Sequence, residues 1–245
     1  MIHTLRAELT KALTLRSIQA TLAAATLAPP ILALAAGLAF DPSSAAGASF
    51  PAESHGFETA GFGQPLVILL AALITGTEYL DGQLRSTLAA DPNRGRVLTA
   101  KLIVIAGAAT LIGLIATTAA VILKHVAISA HGLPVIEFTA GMVWNLLGVA
   151  VNYALISVIA AAITILARTL IVTLIILVPL VLGLTISLVG IIPILKYLPD
   201  LAGLQLLTTY PGIELLQPVP GGLVMAGWAT GLLAVAAFAF RHRDA

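Results

Sequence analysis

The sequence contains no cysteine and very little charge. Of its 245 residues only 9% are charged, whereas 59% are hydrophobic, and the mean hydropathy is +1.06. Without cysteine there is no disulfide, no thiolate metal ligand and no thiol nucleophile. Soluble domains carry about 25% charged residues, so the small charged fraction excludes a water-soluble globular protein. The net charge of +1 supplies no basic stripe for nucleic acid. The low charge content and the high hydrophobic content indicate an integral membrane protein.

The phosphate-binding sequence G-x-x-x-x-G-K-[ST] is also missing. That loop holds ATP phosphates and magnesium, so we expect neither a cofactor nor enzyme activity in this chain. Three histidines, His55, His125 and His131, are too scattered to predict a metal site.

Long apolar runs dominate what is present. A membrane-crossing helix needs about 20 mostly apolar residues. Six stretches meet this length, and none shows the alternation of a transmembrane β-strand. They are about Ser17–Phe40, Gly61–Leu80, Val97–Leu123, Ala140–Ala167, Leu170–Ile192 and Gly222–Phe240. We therefore predict an all-α, polytopic membrane protein with one transmembrane domain over residues 1–245.

The basic residues predict the orientation of the chain. If both termini are cytoplasmic, Lys124 and Lys196 are the only two of the 12 basic residues that lie outside. This is a strong positive-inside bias. We expect a multi-pass protein of the plasma membrane with both termini in the cytoplasm.

Residues 1–16 have the pattern of an amphipathic helix. Apolar residues, including Leu5 and Leu9, fall within about 100° of arc on a helical wheel, and polar residues occupy the rest. Such a helix lies in the membrane interface. We assign Leu5, Arg6, Leu9 and Lys11 to it. The alternative is an ordinary basic flank that only sets the orientation.

The segment 78–96 is longer than a connection between two spans requires. Leucine recurs every four residues from Leu80 to Leu88, which predicts one stripe of a short helix. Asp91-Pro92 ends this helix, because proline disfavours helical geometry in the preceding residue. The apolar stripe has to contact lipid or another protein. The alternative is a solvated loop with orienting charges.

Prolines interrupt two later parts of the chain. Pro179 should kink the fifth stretch, because proline removes a helical hydrogen bond. Five prolines break the still-apolar residues 193–221 into pieces too short to cross a membrane. Irregular backbone at membrane depth has to be buried in protein or line a cavity, so we predict an outer, re-entrant hairpin here.

Several short motifs flank the first three stretches and close the chain. They are Glu8-Leu-Thr-Lys11, Gly76-Thr-Glu-Tyr-Leu-Asp-Gly82, Leu84-Arg-Ser-Thr-Leu88, Pro92-Asn-Arg94 with Arg96 and Lys101, and Arg241-His-Arg-Asp-Ala245. With the number, order and orientation of the spans, they resemble the small six-span permease subunits of type-2 ABC transporters, specifically exporters.

The resemblance implies a division of labour. In that family, the interfacial helix and the cytoplasmic helix contact a separate ABC ATP-binding subunit, which holds ATP and Mg²⁺. Two such subunits join two permeases, which are copies of one chain or homologues. ATP-driven closure then switches the permease between inward- and outward-facing states. The resemblance assigns contacts with the ATP-binding subunit to Glu78, Asp81, Leu84, Arg85, Leu88, Arg94 and Arg96.

Few polar residues lie within the spans. Asn145 and Asn152 are two turns apart on one face of the fourth stretch, and Tyr153 follows. Hydrogen bonds between membrane helices are worth about 0.6–2 kcal/mol, so packing is one role for these residues and a substrate pathway is the other. No charged residue lies near the middle of a span, which weighs against an ion-coupled carrier.

We therefore expect the permease subunit of an ABC exporter, inserted in the lipid bilayer, whose cargo is an amphiphilic or apolar drug, peptide or lipid. One alternative is a non-transporting membrane scaffold or assembly factor, which shares the topology but has no ATPase partner. Another is a stand-alone membrane enzyme, which would need clustered histidine or acidic residues.

Overall fold

The computed structural model describes residues 1–41, 51–79, 83–134, 138–208 and 214–242. Asp81, predicted to contact an ATP-binding subunit, lies outside the described residues. Within residues 83–90 the backbone is described, but the side chains of three further predicted contacts are not: Leu84, Arg85 and Leu88.

Almost all of the described chain is helical. The α-helices are α1 Ile2–Thr14, α2 Arg16–Leu38, α3 Ala60–Gly76, α4 Gln83–Ala90, α5 Arg94–Ile128, α6 Ala140–Ala167, α7 Leu170–Pro179, α8 Thr185–Leu188, α9 Pro199–Ala202, α10 Leu204–Leu207 and α11 Pro218–His242. The 3₁₀ turns are Ala52–Ser54, Phe57–Thr59, Thr77–Tyr79, Ser129–His131 and Pro193–Tyr197. No strand occurs in the described ranges.

Six of these helical stretches are long and apolar enough to cross a membrane, which confirms the predicted all-α polytopic fold. They are α2, α3, α5, α6, the continuous α7–α8 and α11. The third span, α5, has 35 residues and extends beyond the predicted Val97–Leu123 at both ends. At 1.5 Å per residue it is about 53 Å long, well over the roughly 30 Å of the hydrocarbon layer. We call the end that carries α1, α4 and the last turn of α11 the base, and the opposite end the top.

The fourth span, α6, forms the centre of the bundle. It packs against α3, α5, α7, α10 and α11, and 67% of its most apolar window is buried. The fifth span is peripheral, with only 17% of its window buried. Its exposed residues are large and apolar, including Ile171, Ile175 and Leu182. This surface suits lipid or another membrane protein but not water.

The N-terminal helix is separated from the first span by a single extended residue, Leu15, with ψ of 122°. The predicted helix is present, but its buried and exposed residues do not simply divide into apolar and polar. Glu8 and Ala12 are buried, whereas Ile2 and Leu9 are exposed. The exposed Ile2 and Leu9 are therefore available to a membrane interface, whereas Leu5 and Ala12 pack against the bundle. Its position in a membrane interface stays a prediction.

The fifth span departs from α-helical geometry just after Pro179, where a kink was predicted. The turn Leu180–Leu184 is π-helical, and within it Gly183 adopts φ of 117°. Only glycine takes this conformation without strain. The span is thus divided into α7 and the short α8.

The chain between the fifth and sixth spans folds onto the top of the bundle as short helical pieces. Leu201, Ala202 and Leu207 are buried among the spans. Asn152 of α6 donates a hydrogen bond to the Gly203 carbonyl at 2.8 Å. The prolines predict a chain broken into short pieces here, and these short, buried helices agree with that prediction. Its depth in a membrane stays a prediction.

Close contact between α3 and α6 depends on a glycine. Tyr153 of α6 donates a 2.6 Å hydrogen bond to the Ala60 carbonyl. A Cβ atom built on Gly63 would lie 2.0 Å from the Tyr153 hydroxyl oxygen. We expect Gly63→Ala to lower the free energy of unfolding by about 1–3 kcal/mol, because the two helices must separate. Thermal unfolding in detergent measures this loss.

Gly107 of α5 is the matched control, since an added Cβ there meets nothing within 4 Å. We expect Gly107→Ala to leave stability unchanged or slightly raised, because alanine favours helix. Equal melting temperatures for the two variants would contradict the close contact.

Candidate functional site

Four charged side chains form a cluster at the base of the bundle. They are Glu8 and Lys11 of α1, Glu78 of the turn that follows α3, and Lys101 of α5. The Lys11 ammonium lies 2.9 Å from both Glu8 Oε1 and Glu78 Oε1. The Lys101 ammonium donates to Glu8 Oε2 and lies 3.1 Å from Glu78 Oε1. We call this group the base cluster.

The base cluster is electrically balanced, and three of its four side chains are almost fully buried. The exposed fraction is 2% for the Glu8 side chain, 5% for Lys101 and 6% for Glu78, but 43% for Lys11. Lys101 lies seven residues beyond Arg94, about 10 Å into the third span. Charges this deep are tolerated only when paired, and two carboxylates matched by two ammonium groups meet that requirement.

The neighbouring charges shift the ionisation of the two α1 members. Burial alone would raise the pKa of the Glu8 carboxyl, but Lys101 and Lys11 outweigh it and the pKa falls below its usual value. Burial alone would lower the pKa of Lys11, but Glu8 and Glu78 outweigh it and the pKa rises. Glu8 and Lys11 are therefore held in their charged forms near neutral pH.

Two further contacts connect α1 to α4 and to the residue that follows it. The Lys11 ammonium donates to the Thr87 hydroxyl of α4 at 3.0 Å. The Thr4 hydroxyl donates to Asp91, just after α4, at 2.8 Å. Asp91 also lies 3.8 Å from the Arg96 guanidinium in the first turn of α5. The N-terminal helix thus joins the short α4 to the second and third spans.

The predicted partner contacts occupy different environments. Glu78 is buried and its carboxylate is engaged within the chain by Lys11 and Lys101. The Arg94 guanidinium donates to the Phe240 carbonyl near the end of α11, at 3.1 Å. The Arg96 side chain is 46% exposed. On α1, Leu5 packs against the core and Arg6 and Leu9 are exposed. Binding of a partner by these residues stays a prediction.

Sequence reasoning did not assign a site role to Glu8 or Lys101. A signal for both was present, because Lys101 is a lysine inside an apolar run and Glu8 lies three residues before Lys11 on a helix. Their pairing could not be inferred, since 93 positions separate them.

The three polar residues proposed for a substrate pathway are split between two environments. Asn152 is fully buried and accepts a 2.8 Å hydrogen bond from Gln64, besides its bond to Gly203. Tyr153 is also fully buried. Asn145 is only half-buried and lines an open groove. In this conformation Asn152 and Tyr153 join helices, and Asn145 faces a space.

That groove lies near the top, between α6, α10 and α11, and has a volume of about 720 Å³. Its walls are mostly apolar, and Glu53 lies at its edge. It is large enough for a drug-sized molecule.

Two acidic groups also lie near the top, Asp200 buried and Glu58 partly exposed. Asp200 accepts a short hydrogen bond from the Thr185 hydroxyl, and its second oxygen has no partner within the described chain. Glu58 lies 3.4 Å from the buried ammonium of Lys124. Both acids line a smaller cavity of about 180 Å³ beside the π-helical turn. Through its hydrogen bond with Thr185, Asp200 holds α9 against the fifth span.

Comparison with known proteins decides the family. A family model described as "ABC-2 family transporter protein" matches residues 4–190, well over half of the chain. The chain belongs to the ABC-2 transporter family. A search of curated proteins finds no match.

As an ABC-2 family member, the chain is a permease subunit of an ABC transporter and works with an ABC ATP-binding subunit. It is a multi-pass membrane protein. The region matched by the ABC-2 model contains the whole base cluster, α4 and the first five spans.

The base cluster predicts a large loss of stability when one charge is removed. Lys101→Met leaves two buried carboxylates with a single ammonium, so we expect a loss of about 3–5 kcal/mol in unfolding free energy. Arg6→Met, an exposed change on α1, serves as the control and should cost little. Adding Glu8→Gln to Lys101→Met restores electrical balance and should recover part of the loss. Denaturation of the purified protein tests all three, and a double variant less stable than Lys101→Met would contradict the balance.

The same cluster predicts how stability depends on pH. The lowered pKa of Glu8 gives a contribution that is present above its ordinary pKa of 4.5 and lost as pH falls through the lowered value. The raised pKa of Lys11 gives one that is present below 10.5 and lost as pH rises through the raised value. Melting temperature should therefore decline on both sides of this window. Glu8→Gln should flatten the acid side, whereas Glu214→Gln, an exposed change, should not.

Proposed function

We propose that this permease exports an amphiphilic or apolar compound, in the class of drugs, peptides or lipids, by alternating access. The nearly uncharged spans support such a cargo, since a highly charged one would meet few compensating groups on its way across. The chain supplies the membrane path. ATP and Mg²⁺ are bound and ATP is hydrolysed in the partner subunits, because this sequence carries no phosphate-binding loop.

The observation that carries the proposal is the connection of α4 to the spans through the base cluster. Thr87 and Asp91 hold α4 and the residue after it against α1. Glu8 and Lys11 hold α1 against the second and third spans. Separating these charges would leave buried carboxylates unpaired, which is costly. A displacement of α4 is therefore transmitted to the spans through these contacts.

In this mechanism α4 is the coupling helix and rests on the ATP-binding subunit. The leucine stripe of Leu84 and Leu88 supplies the apolar contact, and the charges of Asp81, Arg85 and Arg96 position the partner. Glu78 acts differently, since it holds α4 to the spans from the inside. Closure of the ATP-binding subunits moves α4, and the base cluster carries that movement to α3 and α5.

The assembly proposed here contains two permeases and two ATP-binding subunits. The second permease is a copy of this chain or a homologue. The transporter lies in the plasma membrane with its base in the cytoplasm, in accordance with the positive-inside distribution of basic residues. This orientation brings α4 to the side where ATP is available.

The coupling role of α4 predicts different results for its two faces. Leu84→Asp puts a carboxylate into the apolar stripe, so the ATP-binding subunit that purifies with the wild-type permease in mild detergent should be lost. Arg85→Glu should leave ATP hydrolysis running while cargo export falls, because the partner is misplaced. Mass spectrometry of the purified complex and parallel assays of hydrolysis and export measure these effects.

Ser86→Asp is the matched control for Leu84→Asp. It adds the same carboxylate to α4 about 200° around the helix, on an exposed position. The complex should survive this change. Full export in both Leu84→Asp and Arg85→Glu would contradict the coupling role, and a permease that purifies alone would favour a scaffold.

A further inference from the structure

The groove near the top has the form of a binding site for an elongated molecule. It lies between α6, α10 and α11, with the turn Ala52–Ser54 at one edge. Its volume of about 720 Å³ falls within the roughly 300–1,000 Å³ usual for sites that hold drug-sized ligands. No described side chain fills it.

The walls of the groove suit a hydrocarbon chain. Leu147, Val151, Leu206 and Leu223 line it from three helices. Gly148 lets α10 approach α6, since a Cβ atom there would lie 2.5 Å from the Leu206 carbonyl oxygen. The glycine therefore shapes a continuous apolar floor. Burying an alkyl chain on it gains about 0.8 kcal/mol per methylene group when the chain comes from water.

The edge of the groove carries negative charge. Glu53 is the one charged residue among the described lining residues, and no basic side chain accompanies it there. Its carboxylate lies against Gly141 in the first turn of α6, where a Cβ atom would come within 2.6 Å of Oε2. Trp144 lines the same groove, and the faces of indole rings attract cations. The polar end of a bound molecule should therefore be cationic.

We propose that the groove binds a single-chain amphiphile with a cationic ammonium head, the head at Glu53 and the tail between α6 and α11. This assigns the charge class of the cargo and rests on the proposed export function. A phospholipid fits less well, because its phosphate would meet Glu53 with no basic residue nearby to balance it. A cationic amphiphile brings no such repulsion.

The two tryptophans of the chain offer a direct test. Trp144 lines the groove, whereas Trp228 donates a hydrogen bond to the Tyr197 carbonyl and is not among the lining residues. In a Trp228→Phe background, the full chain in lipid nanodiscs has Trp144 as its sole reporter. The probes are three bromoundecyl compounds, which quench tryptophan on contact and differ only in the head: trimethylammonium, sulfonate or hydroxyl.

We expect saturable quenching by the ammonium compound at concentrations where the other two quench weakly. Glu53→Gln should weaken that binding about tenfold, the factor expected for losing one charge-assisted contact. Glu214→Gln, an exposed carboxyl outside the groove lining, should leave it unchanged. Val151→Phe should also weaken binding by filling the floor, whereas Ile115→Phe, on the exposed side of α5, should not.

Two results would overturn the proposal. Equal, non-saturable quenching by all three compounds would mean that they only dissolve in the lipid. Protection of Trp144 from all three, with two chains per nanodisc, would mean that a second copy covers the groove. The measurement uses neither ATP nor the partner subunit, so it tests binding in the groove separately from export. If the amphiphile binds but is not exported with ATP, the proposed export function is wrong and the proposed binding site stands.

Discussion

The pairing of two carboxylates with two ammonium groups, three of the four side chains almost fully buried, is the interaction on which the base of this protein depends. It brings together α1, the end of the second span and the third span. Lipid-exposed helices gain little from hydrophobic association within a membrane, so polar contacts and close packing decide which helices meet. Charge balance sets the arrangement here, and the Thr87 and Asp91 contacts extend it to α4.

The top is held together differently. Neutral hydrogen bonds and close approaches through glycine join the spans there, as at Asn152 and Gly63, together with the ion pair of Glu58 and Lys124. The π-helical turn with Gly183 interrupts the fifth span at the same level. The base is therefore tied mainly by charges, whereas the chain at the top is divided into short pieces.

Much of the fold followed from the sequence because a bilayer permits few solutions. Apolar length fixed the six spans, and the break at Pro179 followed from its missing hydrogen bond. The long-range contacts could not be predicted in this way. Asn145 and Asn152 lie on one face of α6, yet α10 and the carbonyl of Gly203 enclose only Asn152. Likewise, the resemblance placed Glu78 among the contacts with an ATP-binding subunit, and its burial depends on two lysines from distant parts of the chain. Periodicity identifies helices, but neighbours from other helices decide what each side chain does.

The separation of Glu8 from Lys101 has a consequence for how the protein is made. Ninety-three positions lie between them, so the first span leaves the ribosome before Lys101 exists. During that interval the Glu8 carboxylate has no ammonium from the third span, and the ion pair between α1 and α5 cannot form. Docking of α1 is thus a late event in biogenesis that reports the arrival of the third span. A chain stopped before that point would present an undocked α1 to the quality-control machinery of the cell.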